Sequence, residues 1–436
     1  MSRRYVVLLA LLLVGLAAGC RQSRAPAIGR AATAVPTPEG QTALRLATFD
    51  GGVSLNPYQT IIAEYEKDNP KTVVYLDATA PSDYLTRLQE IAGSDGAPDI
   101  VQVNDDMIQK LVGQGALADL GPTLAACQLD PAVYLPNVAT PGQVGSKTYL
   151  LPRGYTPLAV YYNTKLFKQF NVPEPKDGWT WDDFLQTAKT LTRRSATNKP
   201  LYGVELPAAW AEGFEALAMA DGGRLVSEDG TRYVGYMDSD AVVGALQFYA
   251  DLYQKHKVAP PPVDVTRIGG GNTQFENGEA AMRLGDRSLE AALRKNPAIE
   301  LGVVGLPVGK ERANVLFWDG VGVMAGSKNQ GAAGRLLCTL AGPQSAEVWK
   351  DWGLPIVTST AEKTELTSDP TASVWLGELR YVKPRAAATT AWWPETGRKP
   401  LAKALQGVIT GHATAKDALT QAAREAQAAL DAKLQR

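Results

Sequence analysis

Two groups of carboxylates stand out in this 436-residue chain as side chains that could do chemistry. Asp50 directly follows an alternating segment at residues 43–49, and Asp105 and Asp106 follow a second apolar segment at residues 99–103. Paired carboxylates can act as the acid and base of glycoside hydrolysis, or they can accept hydrogen bonds from the hydroxyls of a ligand. Asp105 or Asp106 could equally cap the helix that the sequence predicts after them.

The rest of the sequence argues against catalysis. His256 and His412 are the two histidines of the chain, and they lie far apart in sequence. The sequence has no Gly-x-Ser-x-Gly nucleophile elbow, no His-Glu-x-x-His zinc motif and no phosphate-binding Gly-x-x-x-x-Gly-Lys loop. We therefore predict a binding protein without a metal or cofactor rather than an enzyme.

The N-terminal residues have the order of a secretory signal. Two arginines precede an apolar segment at residues 5–16, and small residues at 17–19 lead to Cys20. This apolar segment is shorter than the roughly 20 residues that a membrane-spanning helix requires, so we predict a signal peptide at residues 1–19. Cys20 resembles the lipidated cysteine of bacterial lipoproteins, although Ala17 stands where leucine is usual. This implies a protein anchored by lipid to the cell membrane on its extracytoplasmic side; an ordinary secreted protein with a chance cysteine is the alternative.

Composition and charge are typical of a globular protein after this signal. Residues 20–41 are rich in Ala, Pro and Thr, and they predict a flexible linker that begins with the lipidated cysteine. In the full chain 44 Lys and Arg residues balance 45 Asp and Glu residues, which gives no electrostatic argument for nucleic-acid binding. Cys127 and Cys338 lie among apolar neighbours, and we interpret them as small buried residues rather than as a disulfide.

Apolar periodicity predicts alternating strands and helices in the first part of the chain. This order indicates an α/β domain with a largely parallel sheet, in which ligands bind beyond the carboxyl ends of the strands. Asp50 and Asp105 follow such strands, and further along Thr180 has the sequence context of a helix N-cap. The predicted strands lie at residues 43–49, 72–76, 99–103 and 158–162, and the predicted helices at 83–91, 106–112, 210–220, 240–254 and within 402–434.

Seven short motifs then occur in an order that resembles one protein family. They are similar to motifs of the family 1 extracellular solute-binding proteins of ABC importers, to which maltose-binding protein belongs. No single motif is specific; the resemblance rests on their common order, and it extends from about Leu44 to the C-terminus. The motifs lie at residues 97–101, 117–120, 161–167, 179–184, 221–223, 275–282 and 305–307.

The resemblance implies a periplasmic-binding-protein-like α/β fold of two lobes, joined by a three-crossing hinge, with a ligand cleft between them. Hinge segments are expected near residues 153–157, 317–323 and 352–360. The resemblance also implies a monomer that captures a small solute, with a carbohydrate as the expected class, and delivers it to the permease subunits of an ABC transporter in the membrane. The expected N-lobe comprises residues 42–152 and 321–360, and the expected C-lobe comprises residues 153–320 and 361–436.

Candidate ligand contacts follow from the same resemblance, because aromatic rings stack on sugars and polar groups bind their hydroxyls. Residues 285–288 lack the tryptophan that the family usually carries there, and Asp286 and Arg287 present charge instead. These charges leave room for a sugar acid, a sugar phosphate or a polyamine, and a structural salt bridge would explain them equally well. Trp210 and Trp393 could also be packing residues. The candidates are Phe49, Asp50, Asp105, Asp106, Tyr155, Thr156, Trp210, Asp286, Arg287, Trp318, Asp319 and Trp393.

Overall fold

The computed structural model describes residue 37 and residues 39–435, with gaps at 92–93, 95, 195–198, 208, 263–272, 351–352 and 364–369. The predicted signal peptide, Cys20 and most of the predicted linker therefore lie outside the described residues, as does part of the third predicted hinge segment. In the described part, no helix combines the length and the apolar content that crossing a bilayer requires.

Strands and helices alternate through the described chain, and each strand and helix predicted above is confirmed. The ends differ by a few residues, except that the strand predicted at 158–162 begins at Leu151. The strands are β1 (Thr42–Thr48), β2 (Thr72–Ala78), β3 (Ile100–Asn104), β4 (Gln143–Val144), β5 (Lys147–Thr148), β6 (Leu151–Asn163), β7 (Arg193–Arg194), β8 (Pro200–Glu205), β9 (Ala280–Asp286), β10 (Leu301–Val304) and β11 (Leu316–Val323). The helices are α1 (Asn56–Asp68), α2 (Pro81–Ile91), α3 (Asp105–Gly113), α4 (Gly121–Cys127), α5 (Thr164–Phe170), α6 (Trp181–Leu191), α7 (Ala211–Ala220), α8 (Asp240–Tyr253), α9 (Glu290–Arg294), α10 (Gln330–Ala341), α11 (Ala346–Lys350), α12 (Thr358–Ala361), α13 (Pro370–Glu378), α14 (Ala386–Thr389), α15 (Trp393–Thr396), α16 (Arg398–Ile409) and α17 (Ala415–Leu434).

A mixed sheet runs across the described residues in the order β2-β1-β3-β11-β6-β9-β8-β7, and β10 also pairs with β6. β1 is parallel to β2 and β3, as the alternating pattern predicts. β6 changes partners along its length, because residues 151–157 pair with β11 whereas residues 158–163 pair with β9 and β10. The two halves of β6 therefore belong to two lobes: the N-lobe carries β1–β3 and the C-lobe carries β7–β10. The limits of the lobes stay a prediction.

Local sequence signals account for individual helices. α1 buries Ile61, Ile62 and Tyr65, whose spacing in the sequence places them on one face of a helix. The predicted N-cap at Thr180 is confirmed as a capping box, since its side chain accepts from the backbone N–H of Asp183 at 3.1 Å and the Asp183 carboxylate accepts from the backbone N–H of Thr180 at 2.9 Å. Such a cap is worth about 1 kcal/mol and fixes where the helix begins.

Two apolar cores hold the lobes. One core lies in the C-lobe and includes Phe184 and Trp393, both fully buried. The other lies around the N-lobe sheet, where Leu46 and Ile61 are buried, and it continues along one face of the C-lobe sheet to Trp375. Because the second core passes from lobe to lobe, the hinge region is packed against apolar side chains on this side.

The interpretation of the two cysteines is wrong. Cys127, the last residue of α4, forms a disulfide with Cys338 in α10, and their Cα atoms are 6.5 Å apart. The two helices approach closely at Gly334, where a Cβ atom would come within 2.8 Å of the Thr123 side chain. Because Gly334 has no side chain, the two helices can pack closely enough for the sulfur atoms to bond. Nothing in the local sequence reveals such a pairing.

Candidate functional site

A cavity of about 480 Å³ lies where β6 and β11 pass between the lobes; we call it the hinge cavity. Its walls come from both strands, from the N-terminus of α3, from the turn that leads into α9 and from the segment around α11. Charged side chains alternate with aromatic rings in this lining. The lining residues are Asp105, Arg153, Gly154, Tyr155, Thr156, Arg287, Ser288, Glu290, Ala291, Arg294, Phe317, Trp318, Asp319, Trp349, Gly353 and Leu354.

Arg153 organises the N-lobe wall of the cavity. Its guanidinium forms ion pairs with Asp50 and with Asp319, the latter at 2.9 Å, and it lies 5.0 Å from the centroid of Trp349 and 5.4 Å from that of Tyr58. Burial raises the pKa of Asp50 to about 6, although the neighbouring Arg153 opposes this rise. Two carboxylates and two aromatic rings therefore contact a single cation.

Glu290 organises the opposite, C-lobe wall. Its buried carboxylate accepts hydrogen bonds from Arg294 at 2.6 Å, from the Trp375 indole N–H at 2.8 Å and from Arg287 at 3.3 Å. Arg287 also donates to the backbone carbonyl of Gly353 at 2.6 Å. Burial alone would raise the pKa of Glu290, but hydrogen bonds from Thr371 and Arg294 and the charges of the two arginines outweigh burial and hold the pKa below its usual value. Glu290 therefore stays ionised and keeps both arginines at the cavity.

A third charged group joins α3 of the N-lobe to the C-lobe. Arg385 pairs with Asp105, with its Nε 3.0 Å from the carboxylate, and Arg398 pairs with Asp106 at 2.6 Å. The Arg385 guanidinium also lies 4.6 Å from the centroid of the Phe317 ring. Burial raises the pKa of Asp105 to about 6 against the opposing effect of Arg385. At neutral pH both members of the Asp105–Arg385 pair are therefore charged.

Six of the twelve candidate contacts line the hinge cavity. They are Asp105, Tyr155, Thr156, Arg287, Trp318 and Asp319. Asp50 is connected to the cavity through Arg153, and Asp106 lies beside Asp105 at the start of α3. The six lining residues come from four separate segments of the chain, so the predicted convergence of strand ends and hinge segments is present in the fold.

The remaining candidates lie outside the cavity lining. Trp393 has no exposed surface, because its ring packs in the C-lobe core, so in this structure it cannot reach a ligand. Phe49 packs edge-on against Tyr84, and Trp210 stacks on Phe317 with ring centroids 6.2 Å apart. The Asp286 side chain accepts the backbone N–H of the residue two positions later and caps a turn. The salt bridge at this point is formed by Arg287 with Glu290. The ligand contacts as a set stay a prediction.

Sequence reasoning did not select the other lining residues, and three of them, Glu290, Arg294 and Trp349, carry groups that a ligand could contact. Glu290 and Arg294 are four residues apart on one helix, a spacing that allows a salt bridge but does not reveal a cavity. No motif around Trp349 in the sequence distinguishes it from a tryptophan of the core. In the structure its indole N–H donates to the Leu340 carbonyl. In the part of the chain that the structure describes, no cluster of three or more His, Cys, Asp or Glu side chains could hold a metal ion.

Glu215 in α7 gives the protein a testable pH dependence. Burial raises its pKa to about 7, although the positive charge of Arg385 and the hydrogen bond from the backbone N–H of Ala386, at 2.6 Å, both oppose this rise. The second carboxylate oxygen has no hydrogen-bond partner among the described residues. The folded state therefore binds a proton more readily than the unfolded state between about pH 4.5 and pH 7. Stability should rise as pH falls through this window, by on the order of 3 kcal/mol from this residue.

Urea unfolding between pH 5 and pH 8 measures this effect. Glu215→Gln keeps the acceptor for Ala386 and should flatten the pH profile relative to the wild type. The exposed Glu64→Gln should leave the profile unchanged. If Glu215→Gln retains the full pH dependence of the wild type, the raised pKa is wrong.

A sequence profile described as bacterial extracellular solute-binding protein matches residues 52–347 of this chain. Among curated proteins, the diacetylchitobiose-binding protein DasA of Streptomyces coelicolor is 26% identical over 293 residues, which is 66% of each chain. The galactooligosaccharide-binding protein of Bacillus subtilis is 25% identical over 403 residues, 89% of this chain and 90% of the relative.

Solved structures give the same result for the fold. The sugar-binding protein MalE of Xanthomonas citri superposes with a TM-score of 0.79 at 21% identity, covering 90% of this chain and 98% of its own. At this identity the similarity concerns the fold alone. The predicted α/β fold of two lobes with a cleft between them is thereby confirmed.

Proposed function

The chain belongs to the bacterial extracellular solute-binding protein family, and on that basis we propose that it captures a carbohydrate outside the cytoplasmic membrane and delivers it to the permease of an ABC importer. The hinge cavity is the observation that carries this proposal, since it combines aromatic rings with charged hydrogen-bonding groups from both lobes. The names of the two curated relatives, which are binders of diacetylchitobiose and of galactooligosaccharides, support a sugar as the solute.

Contacts from both lobes explain how binding would drive closure. A solute in the hinge cavity can touch Asp319 on the N-lobe side and Arg287 on the C-lobe side at the same time. Such a solute binds the closed arrangement more tightly than an open one, and a ligand shifts a conformational equilibrium only by this difference in affinity. The permease would then recognise the closed, loaded form.

The charge balance of the cavity favours an uncharged sugar over the alternatives. A sugar phosphate or sugar acid needs cationic donors that are not already neutralised, and a polyamine needs carboxylates without neighbouring arginines. Here each cavity arginine faces a carboxylate, so the lining offers strong donors and acceptors without a net charge. Sugar hydroxyls suit such a lining, and Trp349 offers a ring for stacking. The pairs are Arg153 with Asp50 and Asp319, and Arg287 and Arg294 with Glu290.

A thermal-shift screen tests the proposed function. The panel contains neutral mono- and oligosaccharides, sugar acids, sugar phosphates and polyamines at 1–10 mM, because a ligand that binds the native state raises the melting temperature by mass action. We expect a rise with at least one neutral sugar. A rise with a polyamine and with no carbohydrate would overturn the proposal.

Arg287→Met tests the role of the cavity in that binding. The other hydrogen bonds to Glu290 remain in this variant, so the fold should persist, whereas one charged donor to the solute is lost. Removal of a charge-assisted hydrogen bond costs about 1.5–3 kcal/mol, so affinity for the sugar from the screen should fall about tenfold to a hundredfold by calorimetry. The matched control is Arg424→Met on the exposed side of α17, which should bind as the wild type does. Equal affinities for the two variants would place the site elsewhere.

We also propose that residues 1–19 are a signal peptide and that Cys20 carries the lipid anchor. The extracellular family supports a location outside the cytoplasm, and the order of arginines, apolar residues, small residues and cysteine supports lipidation. The linker at residues 20–41 would hold the two lobes near the membrane, which keeps the captured solute at a high local concentration beside the importer.

A further inference from the structure

One face of α3 contacts the C-lobe through residues 105–110. Its four polar side chains at positions 105, 106, 109 and 110 all reach residues 385–398. Asp105 pairs with Arg385 and Asp106 with Arg398, as described above. The Gln109 amide donates to the Ala388 carbonyl at 3.2 Å, and Lys110 pairs with Glu395 at 2.7 Å. We call these four contacts the α3 latch.

The C-lobe side of the α3 latch is rigid. Arg385 directly precedes α14, and the next backbone N–H, that of Ala386, is bound by the buried carboxylate of Glu215. The Arg385 guanidinium lies over the ring of Phe317 in β11. The C-lobe therefore presents Arg385 in one position, ready to meet Asp105.

Burial makes the central pair sensitive to separation of the lobes. The side chains of Arg385 and Asp105 are 3% and 9% exposed, so both charges of this pair between the lobes are removed from water. Separating the lobes would return both charges to water, whereas removing one of them would leave the other buried and unpaired. The same Asp105 lines the hinge cavity, so one carboxylate takes part in both closure and the ligand site.

We propose that the α3 latch stabilises the closed arrangement through its ion pairs, and that Arg385 is the positioning residue that connects closure to the hinge cavity through Asp105. Arg385 holds the Asp105 carboxylate at the cavity when the lobes meet. This inference goes beyond the proposed function, because it does not depend on which solute binds or on whether that solute is a sugar.

Distances between spin labels on the two lobes test the latch without any ligand. Labels at Lys67→Cys in α1 and Ala428→Cys in α17 lie on exposed positions of the mature protein. In Arg385→Gln, pulsed electron resonance should show a longer-distance population than in the wild type. The matched control is Arg45→Gln, which removes an arginine paired with Asp77 inside the N-lobe and should leave the distances unchanged. Wild-type distances in Arg385→Gln would overturn the proposal.

A charge exchange at the edge of the latch keeps the proposal testable if Arg385→Gln does not fold. Lys110 and Glu395 pair between the lobes and are partly exposed. Lys110→Glu places two like charges together and should lengthen the label distances, whereas the double variant Lys110→Glu/Glu395→Lys should restore them. A purely structural role for Lys110 would give no such rescue, and that result would also overturn the latch. Because no solute is present, failure of the sugar screen would not affect either outcome.

Discussion

Replacing Arg153 with methionine is expected to lower the free energy of unfolding by about 3–5 kcal/mol and to abolish solute binding. The side chains of Arg153, Asp50 and Asp319 are 16%, 16% and 21% exposed, so the three charges are largely removed from water. Without the cation, two carboxylates would face each other beside the aromatic rings with no compensating charge. The N-lobe wall of the hinge cavity would then lose its geometry together with its stability.

Urea denaturation measures this loss, provided that the slope of the transition stays constant so that the midpoint reports stability. Lys168→Met is the matched control, because it removes a cation paired with Glu300 where both side chains are more than half exposed. An exposed pair of this kind contributes less than about 1 kcal/mol. If Arg153→Met were no more destabilising than Lys168→Met, the central role of Arg153 would be refuted.

Removing the disulfide should have an effect of similar size. Cys127 and Cys338 are 211 residues apart in sequence, so the bond closes a long loop in the unfolded chain. The chain-entropy treatment gives about 5 kcal/mol for such a loop, and measured values for native disulfides fall at about 2–5 kcal/mol. We therefore expect the double variant Cys127→Ala/Cys338→Ala to lose about 3–5 kcal/mol of stability.

Reduction of the wild-type protein supplies the control, since it breaks the bond without removing a side chain. Urea midpoints should fall on addition of a reductant in the wild type and stay constant in the double alanine variant. Solute affinity should change little in both cases, because the disulfide joins α4 to α10 away from the lining of the hinge cavity. If a reductant did not change the urea midpoint of the wild type, the two cysteines would not be bonded.

Local elements of this fold could be predicted because their causes are local. The capping box at Thr180 and the apolar face of α1 are each determined by a few neighbouring residues. The two-lobed arrangement came from the resemblance to a family, since no single segment encodes it. Within the candidate site, Tyr155 and Asp319 were selected from the same resemblance, which expects hinge segments there, and both lie in strands that pass between the lobes.

The remaining features depend on distant pairs of residues. Arg385 lies 280 positions from Asp105, and nothing in the sequence around either residue shows that they meet. Trp393 and Trp349 are both tryptophans near polar neighbours, yet the fold buries the first in a core and places the second on the cavity. The disulfide was missed for the same reason, because its geometry depends on the close packing of two helices at Gly334.

The position of β11 has a consequence for how the chain folds. β11 lies between β3 and β6 in the sheet, although both of these strands precede it by more than 150 residues in the sequence. The N-lobe sheet is therefore incomplete until residues 316–323 pair with them. Pairings of such high contact order form slowly, because the entropy of closing a long loop is lost before the strands interact. Neither lobe is a contiguous piece of sequence, and a fragment that stops before β11 should therefore expose the edge of β3 and aggregate rather than fold.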